Sequence, residues 1–183
     1  MSKPVSFVGA GPGAPDLLTL RAAERIQQAD RLIWTDSLVC PAIVDLAPAA
    51  CERIKTSNLT LEEVLPLLIE GHRAGLRVVR LHDGDPALYS AINEQICTLN
   101  DEGIPVEVVP GVSAYQAAAA ALERELTVPG VVQTIVLSRA GGRTGVPERE
   151  QLERLASLGA SLCLYLSARH VEEVQQTLSL IHI

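Results

Sequence analysis

The sequence predicts an α/β protein built on a mostly parallel, doubly wound sheet. Short apolar stretches alternate along the chain with amphipathic stretches of helical spacing. Hydrophobic residues make up 48% of the chain and aromatic residues only 3%, so its bulk is Ala, Leu and Val, as in helices packed on buried sheets. The pattern restarts after about residue 125. It therefore predicts two α/β domains, residues 1–112 and 113–183.

Most predicted strands of the first domain are short runs rich in apolar and β-branched residues, and residues 52–55 are a shorter, more polar candidate. These runs are residues 5–9, 31–34, 52–55, 77–82 and 106–109. Pro15 stands at the start of the first helical pattern. Thr60 and Glu63 form a capping box for a helix that ends before Gly75. Two more helices are predicted, one ending at about residue 99 and one over 111–121.

The second domain repeats the pattern with fewer elements. Strands are predicted over 133–138 and 161–166, with helices over 148–157 and from about residue 169. Two strands are too few to close a core. We therefore expect the second domain to be incomplete and the chain, whose last residues need not be native, to be a fragment.

Charge and composition argue against several classes of function. The net charge is −7 and no basic run is present, which argues against nucleic-acid binding. No apolar stretch approaches the ~20 residues of a membrane span, and no apolar signal region opens the chain. Four scattered cysteines without metal-ligand spacing indicate small core residues in a reducing compartment: Cys40, Cys51, Cys97 and Cys163. We expect a cytoplasmic protein that binds no nucleic acid, membrane or metal.

A glycine loop, Gly9-Ala10-Gly11-Pro12-Gly13-Ala14, follows the first strand. Glycines at a strand end let a ligand approach the backbone closely. The loop fits the dinucleotide pattern formally, but Pro12 removes an N–H donor and Asp16 places an anion where a phosphate would lie. Spacing alone leaves open a dinucleotide, another ligand or a plain tight turn.

Two further strand ends carry similar loops. Asp83, Gly84 and Asp85 follow the fourth strand, and Ser113 comes after the Pro-Gly that ends the fifth. Either loop alone could be ordinary turn or cap chemistry. Because the carboxyl ends of parallel strands share one edge of a sheet, three such loops predict a ligand site there.

The arginines of this acidic chain are candidates for binding an anion. Arg124, Arg139 and Arg143 lie in the stretch 124–150, and guanidinium groups suit carboxylates. A solvated loop is the alternative. His82 ends a strand beside the Asp83 loop, where we expect a structural role rather than a catalytic one.

Four motifs, in this order and spacing, resemble the tetrapyrrole methylase family: FVGAGPGAPDLLTLRA, VVRLHDGDPALYSAINEQ, VEVVPGVSAYQAAAAAL and RELTVPGVVQTIVLSRAGGRTGVPE. The resemblance extends to about residue 178. It implies two α/β domains with S-adenosylmethionine bound in the cleft between them, and a homodimer. The most specific motifs, LHxGDPxLY and RELTVPGVxQT with GRTxxPE, are similar to those of family members that methylate C11 of precorrin-4 or cobalt-precorrin-4 in cobalamin biosynthesis.

The resemblance also implies site residues. Those that would contact the cofactor are Pro12, Asp83, Gly84, Asp85, Leu88, Ser113, Ala114 and Leu166. The tetrapyrrole substrate carries acetate and propionate carboxylates, for which we expect Arg139 and Arg143 as ligands. Arg124 ranks third among these candidates. No catalytic base carries over, because Thr35 stands where related uroporphyrinogen methyltransferases have an acidic residue. Ser90 likewise replaces a usual glycine.

Three alternatives stay open. A sibling methylase would act at another ring carbon. A NAD-dependent oxidoreductase would use the glycine loop for a dinucleotide, which Pro12 disfavours. A fragment that binds ligand without turnover would follow from an incomplete second domain.

Overall fold

The computed structural model describes residues 3–140 and 145–181. The chain forms two compact units, Met1–Ala117 and Ala118–Ile183. The boundary predicted between residues 112 and 113 lies slightly before this division.

The first unit contains a five-stranded sheet. Its strands are β1 (Val5–Gly9), β2 (Arg31–Trp34), β3 (Glu52–Lys55), β4 (Val78–His82) and β5 (Val106–Val109). Their order is β3-β2-β4-β1-β5, and every neighbouring pair is parallel. The predicted parallel α/β fold is confirmed, and four of these strands have the predicted bounds.

Five helices belong to this part of the chain: α1 (Leu20–Gln27), α2 (Pro41–Val44), α3 (Leu61–Arg73), α4 (Ile92–Asp101) and α5 (Ala114–Ala121). Helix α1 begins later than predicted. Pro15 opens only a short 3-10 turn, and Thr19 Oγ1 then accepts from Ala22 N at 3.2 Å and caps α1. Helix α2 is not among the predicted helices, and α5 begins three residues later than the predicted start at residue 111.

Apolar side chains cover both faces of the sheet. One core contains Ile26 of α1 and Ile43 of α2, and the other contains Leu68 of α3 and Leu99 of α4. Helix α1, which follows β1, therefore packs on one face of the sheet. Helix α4, which follows the neighbouring strand β4, packs on the other. The loops after β1 and β4 flank a topological switch point, where open α/β sheets bind their ligands.

The second unit contains two parallel strands, β6 (Ile135–Arg139) and β7 (Ser161–Tyr165), and two helices, α6 (Leu152–Ala156) and α7 (Val171–Ile181). The helix predicted over 148–157 is wrong as one element. Gln151 has extended backbone (φ −65°, ψ 149°), which separates a 3-10 turn from α6. Across the described part of the chain, none of the helices has the length and apolar character needed to span a membrane.

All four cysteines are free thiols. Cys51 is buried, but Cys97 lies exposed on α4, so the prediction of a core position is wrong for Cys97. The described residues contain no cluster of His, Cys, Asp and Glu that could hold a metal ion.

Candidate functional site

Three loops meet at the carboxyl edge of the first unit's sheet. We name them the first loop (residues 10–14), the second loop (83–90) and the third loop (110–113). Gly11 N donates to Gly84 O at 3.1 Å, and Gly84 N donates to Gly11 O at 2.8 Å. The first two loops are thus joined by backbone hydrogen bonds beyond the end of the sheet.

Three glycines allow the loops to approach so closely. We call Gly9, Gly84 and Gly111 the glycine junction. A Cβ added to Gly9 would lie 2.6 Å from Gly111 N and 2.7 Å from Gly84 O, and one added to Gly111 would overlap Gly84 O. Backbone packs on backbone here, so no side chain could move aside to make room.

Asp85 ties the second loop to the third. Its Oδ1 accepts from Ala87 N at 2.8 Å, and its Oδ2 accepts from Gly111 N at 2.9 Å. Hydrogen bonds to an ionised carboxylate are stronger than those between neutral groups. Because each carboxylate oxygen is engaged, this side chain holds the loops together, and the loop backbone remains to face a ligand.

The second loop also carries backbone strain. Tyr89 (φ 58°) and Ala91 (φ 49°) both adopt the left-handed conformation, on either side of Ser90. Such residues cost on the order of 1–3 kcal/mol each and cluster at ligand sites. The strain falls on the two neighbours of Ser90 and not on Ser90 itself.

Seven of the eight predicted cofactor contacts lie on these loops or directly after them. They are Pro12, Asp83, Gly84, Asp85, Leu88, Ser113 and Ala114. A Cβ on Gly84 would lie 3.8 Å from Ser113 Cα and from Ala114 N, so the second and third loops are in contact range. Leu166 belongs to the second unit, where it is 72% exposed with φ 53°. The roles of all eight stay predictions.

The predicted substrate arginines lie in the second unit. Arg124 is exposed, and Arg139 Nη2 donates to Gly145 O at 3.2 Å. Arg143 lies outside the described residues. Arg139 also lines a groove of about 750 Å³ together with the carboxylates of Glu150, Glu153 and Glu173. Those carboxylates weaken the case for Arg139 as an anion ligand.

His82 is buried behind the second loop. Its ring stacks on Phe7 with centroids 5.8 Å apart, and its Nε2 has no hydrogen-bond partner. Burial, together with the nearby Arg80 charge, lowers the pKa of His82 to about 3. The imidazole is therefore neutral at pH 7 and is part of the core, as its predicted structural role requires.

The steric role of Gly9 and Gly111 and the position of Arg80 are not among the predicted site features. The Pro-Gly after β5 indicates a turn, whereas the close approach of Gly111 to Gly84 depends on tertiary structure. Arg80 did leave a signal. It is a charged residue inside VVRLH, a strand buried at every position.

Comparisons with known proteins agree with this architecture. The model of the "Tetrapyrrole (Corrin/Porphyrin) Methylases" matches residues 4–181. The chain is 45% identical over 93% of its length to a cobalt-precorrin-4 C(11)-methyltransferase of Priestia megaterium, covering 66% of that protein. It is 44% identical over 95% of its length to a precorrin-4 C(11)-methyltransferase of Pseudomonas aeruginosa, covering 69% of it. The chain thus spans about two thirds of the length of these curated relatives.

Solved structures show the same relationship. The X-ray structure of a cobalamin biosynthetic enzyme, cobalt precorrin-4 methyltransferase, matches 98% of this chain and 75% of its own, with a TM-score of 0.94 and 42% identity. A uroporphyrin-III C-methyltransferase from Thermus thermophilus, complexed with S-adenosylhomocysteine, matches 98% of this chain and 77% of its own, with a TM-score of 0.77 and 29% identity. The chain belongs to the tetrapyrrole (corrin/porphyrin) methylase family.

Proposed function

We propose that the chain carries the S-adenosylmethionine-dependent C-methyltransferase activity that acts on C11 of precorrin-4 or cobalt-precorrin-4 in cobalamin biosynthesis. The observation that carries the proposal is the glycine junction, which forms a backbone-lined edge at the topological switch point. The names of relatives at 40–45% identity supply the substrate.

The charges of the three loops suit this cofactor better than a dinucleotide. The loops contain no Lys or Arg, and they contain two carboxylates, Asp83 and Asp85. A pyrophosphate would meet no basic side chain on them, whereas a sulfonium cation meets negative charge. The cofactor, when bound, supplies an activated methyl group for in-line displacement.

The chain's own residues would align the reactants. Asp85 and the glycine junction fix the positions of the loops, which lets backbone groups orient a ligand without adjustment during reaction. The chemistry requires loss of a proton or neutralisation of charge on the substrate, and we assign no residue to that step.

Calorimetric titration with S-adenosylhomocysteine tests the proposal. We expect saturable binding of S-adenosylhomocysteine and no binding of NAD to the folded, monodisperse chain. Binding of NAD alone would contradict the cofactor assignment. Binding of S-adenosylhomocysteine without methyl transfer to the tetrapyrrole would favour the alternative of a ligand-binding chain without turnover.

Replacing Arg143 with Ala should weaken tetrapyrrole binding about 10- to 100-fold, because one charge-assisted hydrogen bond is worth about 1.5–3 kcal/mol. S-adenosylhomocysteine binding should be unchanged. Arg149→Ala is the matched control, since Arg149 is exposed and lies 3.7 Å from Glu150 in an ion pair. Equal tetrapyrrole affinity in the wild type and Arg143→Ala would remove Arg143 from the site. The homodimer implied by the resemblance and the cytoplasmic location expected from the sequence composition stay predictions.

A further inference from the structure

A small pocket lies on the α3/α4 face of the first unit, apart from the glycine junction. It has a volume of about 230 Å³. Thr35 and Thr56 line it from the ends of β2 and β3, Arg80 from the middle of β4, and Ala91 and Gln95 from the start of α4. This volume is below the ~300–1,000 Å³ of pockets that take a whole small molecule, so it suits a single small group.

Arg80 brings a buried positive charge to this pocket. The residue is only 8% exposed, and Nη1 donates to Thr56 Oγ1 at 3.1 Å. Its Nε is buried without a hydrogen-bond partner. Within residues 3–140 and 145–181, no carboxylate forms an ion pair with it, and the exposed Asp83 acts on it only at longer range. A buried guanidinium without a counter-ion is costly, which favours an anionic ligand.

Two threonine hydroxyls form a hydrogen-bond network with the Arg80 guanidinium. Thr56 Oγ1 donates its one proton to Trp34 O at 3.2 Å, so it accepts from Thr35 Oγ1 at 3.2 Å as well as from Arg80. Both hydroxyl groups are neutral. The network therefore holds the guanidinium in place and leaves its charge uncompensated.

The start of α4 adds a second favourable feature. Ala91, the N-cap of this ten-residue helix, provides no side-chain hydrogen bond to the first turn, whose N–H groups carry partial positive charge. Gln95 is 3% exposed and its Oε1 has no partner, while its Nε2 donates to Ala91 O over a long 3.3 Å. Rotation of this amide would turn its NH₂ group toward a bound oxygen.

We propose that this Arg80 pocket is a carboxylate-binding subsite that takes one acetate or propionate side chain of the tetrapyrrole. A planar carboxylate matches the guanidinium fork, and its short arm fits the volume. The proposal that the pocket binds a carboxylate is argued from the structure of the pocket. Only the identification of the tetrapyrrole as the molecule that carries this carboxylate rests on the proposed function.

The first test is acetate binding to the whole chain, without cofactor or tetrapyrrole. Sodium acetate replaces sodium chloride at constant ionic strength while the Arg80 Nε–H signal is followed by NMR. We expect a saturable shift with a midpoint on the order of millimolar, as expected for so small a ligand. Absence of saturation, or saturation by inorganic phosphate but not acetate, would overturn the carboxylate site.

Two variants separate this site from general salt effects. Acetate should raise the unfolding midpoint of the wild type but not that of Arg80→Met, because only a ligand of the folded state stabilises it. Arg73→Met removes the same charge from an exposed residue paired with Glu102 at 2.6 Å, and it should keep the acetate response. An equal response in Arg80→Met would overturn the proposal. If Arg80→Met does not fold, the acetate titration of the wild-type Arg80 Nε–H signal still tests the proposal.

Competition between acetate and a tetrapyrrole tests which molecule supplies the carboxylate. Uroporphyrin, a stable tetrapyrrole with acetate and propionate arms, should displace acetate from the Arg80 signal, and acetate should weaken uroporphyrin binding about tenfold at saturation. Simultaneous binding of both would overturn the assignment to a tetrapyrrole arm. Because this experiment needs no cofactor, its failure is distinguishable from failure to bind S-adenosylhomocysteine.

Discussion

Replacing Gly111 with Ala should destabilise the first unit and weaken cofactor binding. The new Cβ would overlap Gly84 O and lie 2.9 Å from Gly9 Cα, and all of these atoms are backbone. Overpacking costs about 1–3 kcal/mol where side chains can adjust. We expect about 3 kcal/mol or more here, a fall of roughly 6–12 °C in the unfolding midpoint.

The loss of binding should appear even while the protein is folded. Any shift that relieves the overlap moves the third loop away from the second and lengthens the 2.9 Å hydrogen bond from Gly111 N to Asp85 Oδ2. Calorimetry with S-adenosylhomocysteine should therefore show affinity reduced at least about tenfold even below the unfolding transition, since a misplaced loop cannot align a ligand.

Gly145→Ala makes the same chemical change where a Cβ would meet nothing within 4 Å. The free energy of unfolding of this control should stay within about 0.5 kcal/mol of the wild-type value. The control should also bind S-adenosylhomocysteine with wild-type affinity. A Gly111→Ala chain with wild-type stability and affinity would show that the loops tolerate separation, and the junction would lose its proposed role.

The sheet was predictable because its signals are local. Residues 5–9 and 106–109 are short Val-containing runs, each preceded by a proline, and β1 and β5 have these bounds. The start of a helix is harder to predict where two residues near it both favour a helix N-terminus. The sequence pattern places the start of α1 at Pro15, yet Thr19 supplies the hydroxyl that accepts a hydrogen bond from Ala22 N.

The site could be predicted only to the level of its loops. Sequence order and parallel pairing place residues 10–14, 83–90 and 110–113 at one edge, whereas the close approach of Gly9 to Gly84 and Gly111 depends on how three strands are staggered. The unpaired state of Arg80 likewise depends on which residues surround it after folding. A charge inside a buried strand marks an anomaly without revealing its counter-ion.

Acidification should destabilise the wild type through His82. Burial and the Arg80 charge hold the pKa of His82 in the folded state at about 3, whereas an unfolded histidine titrates near 6.5. Between these values the unfolded chain binds one more proton than the folded chain. The free energy of unfolding contributed by this residue therefore falls by about 1.4 kcal/mol per pH unit below about pH 6.5, and is constant above it.

Replacing His82 with Leu should remove this dependence. Between pH 7.5 and pH 5.0 the wild type should lose about 2 kcal/mol more stability than His82→Leu, measured by urea unfolding at each pH. His72→Gln removes an imidazole from the partly exposed surface of α3 and should keep the wild-type dependence. Parallel curves for the wild type and His82→Leu would mean that His82 becomes protonated within the fold despite its burial and the nearby charge of Arg80.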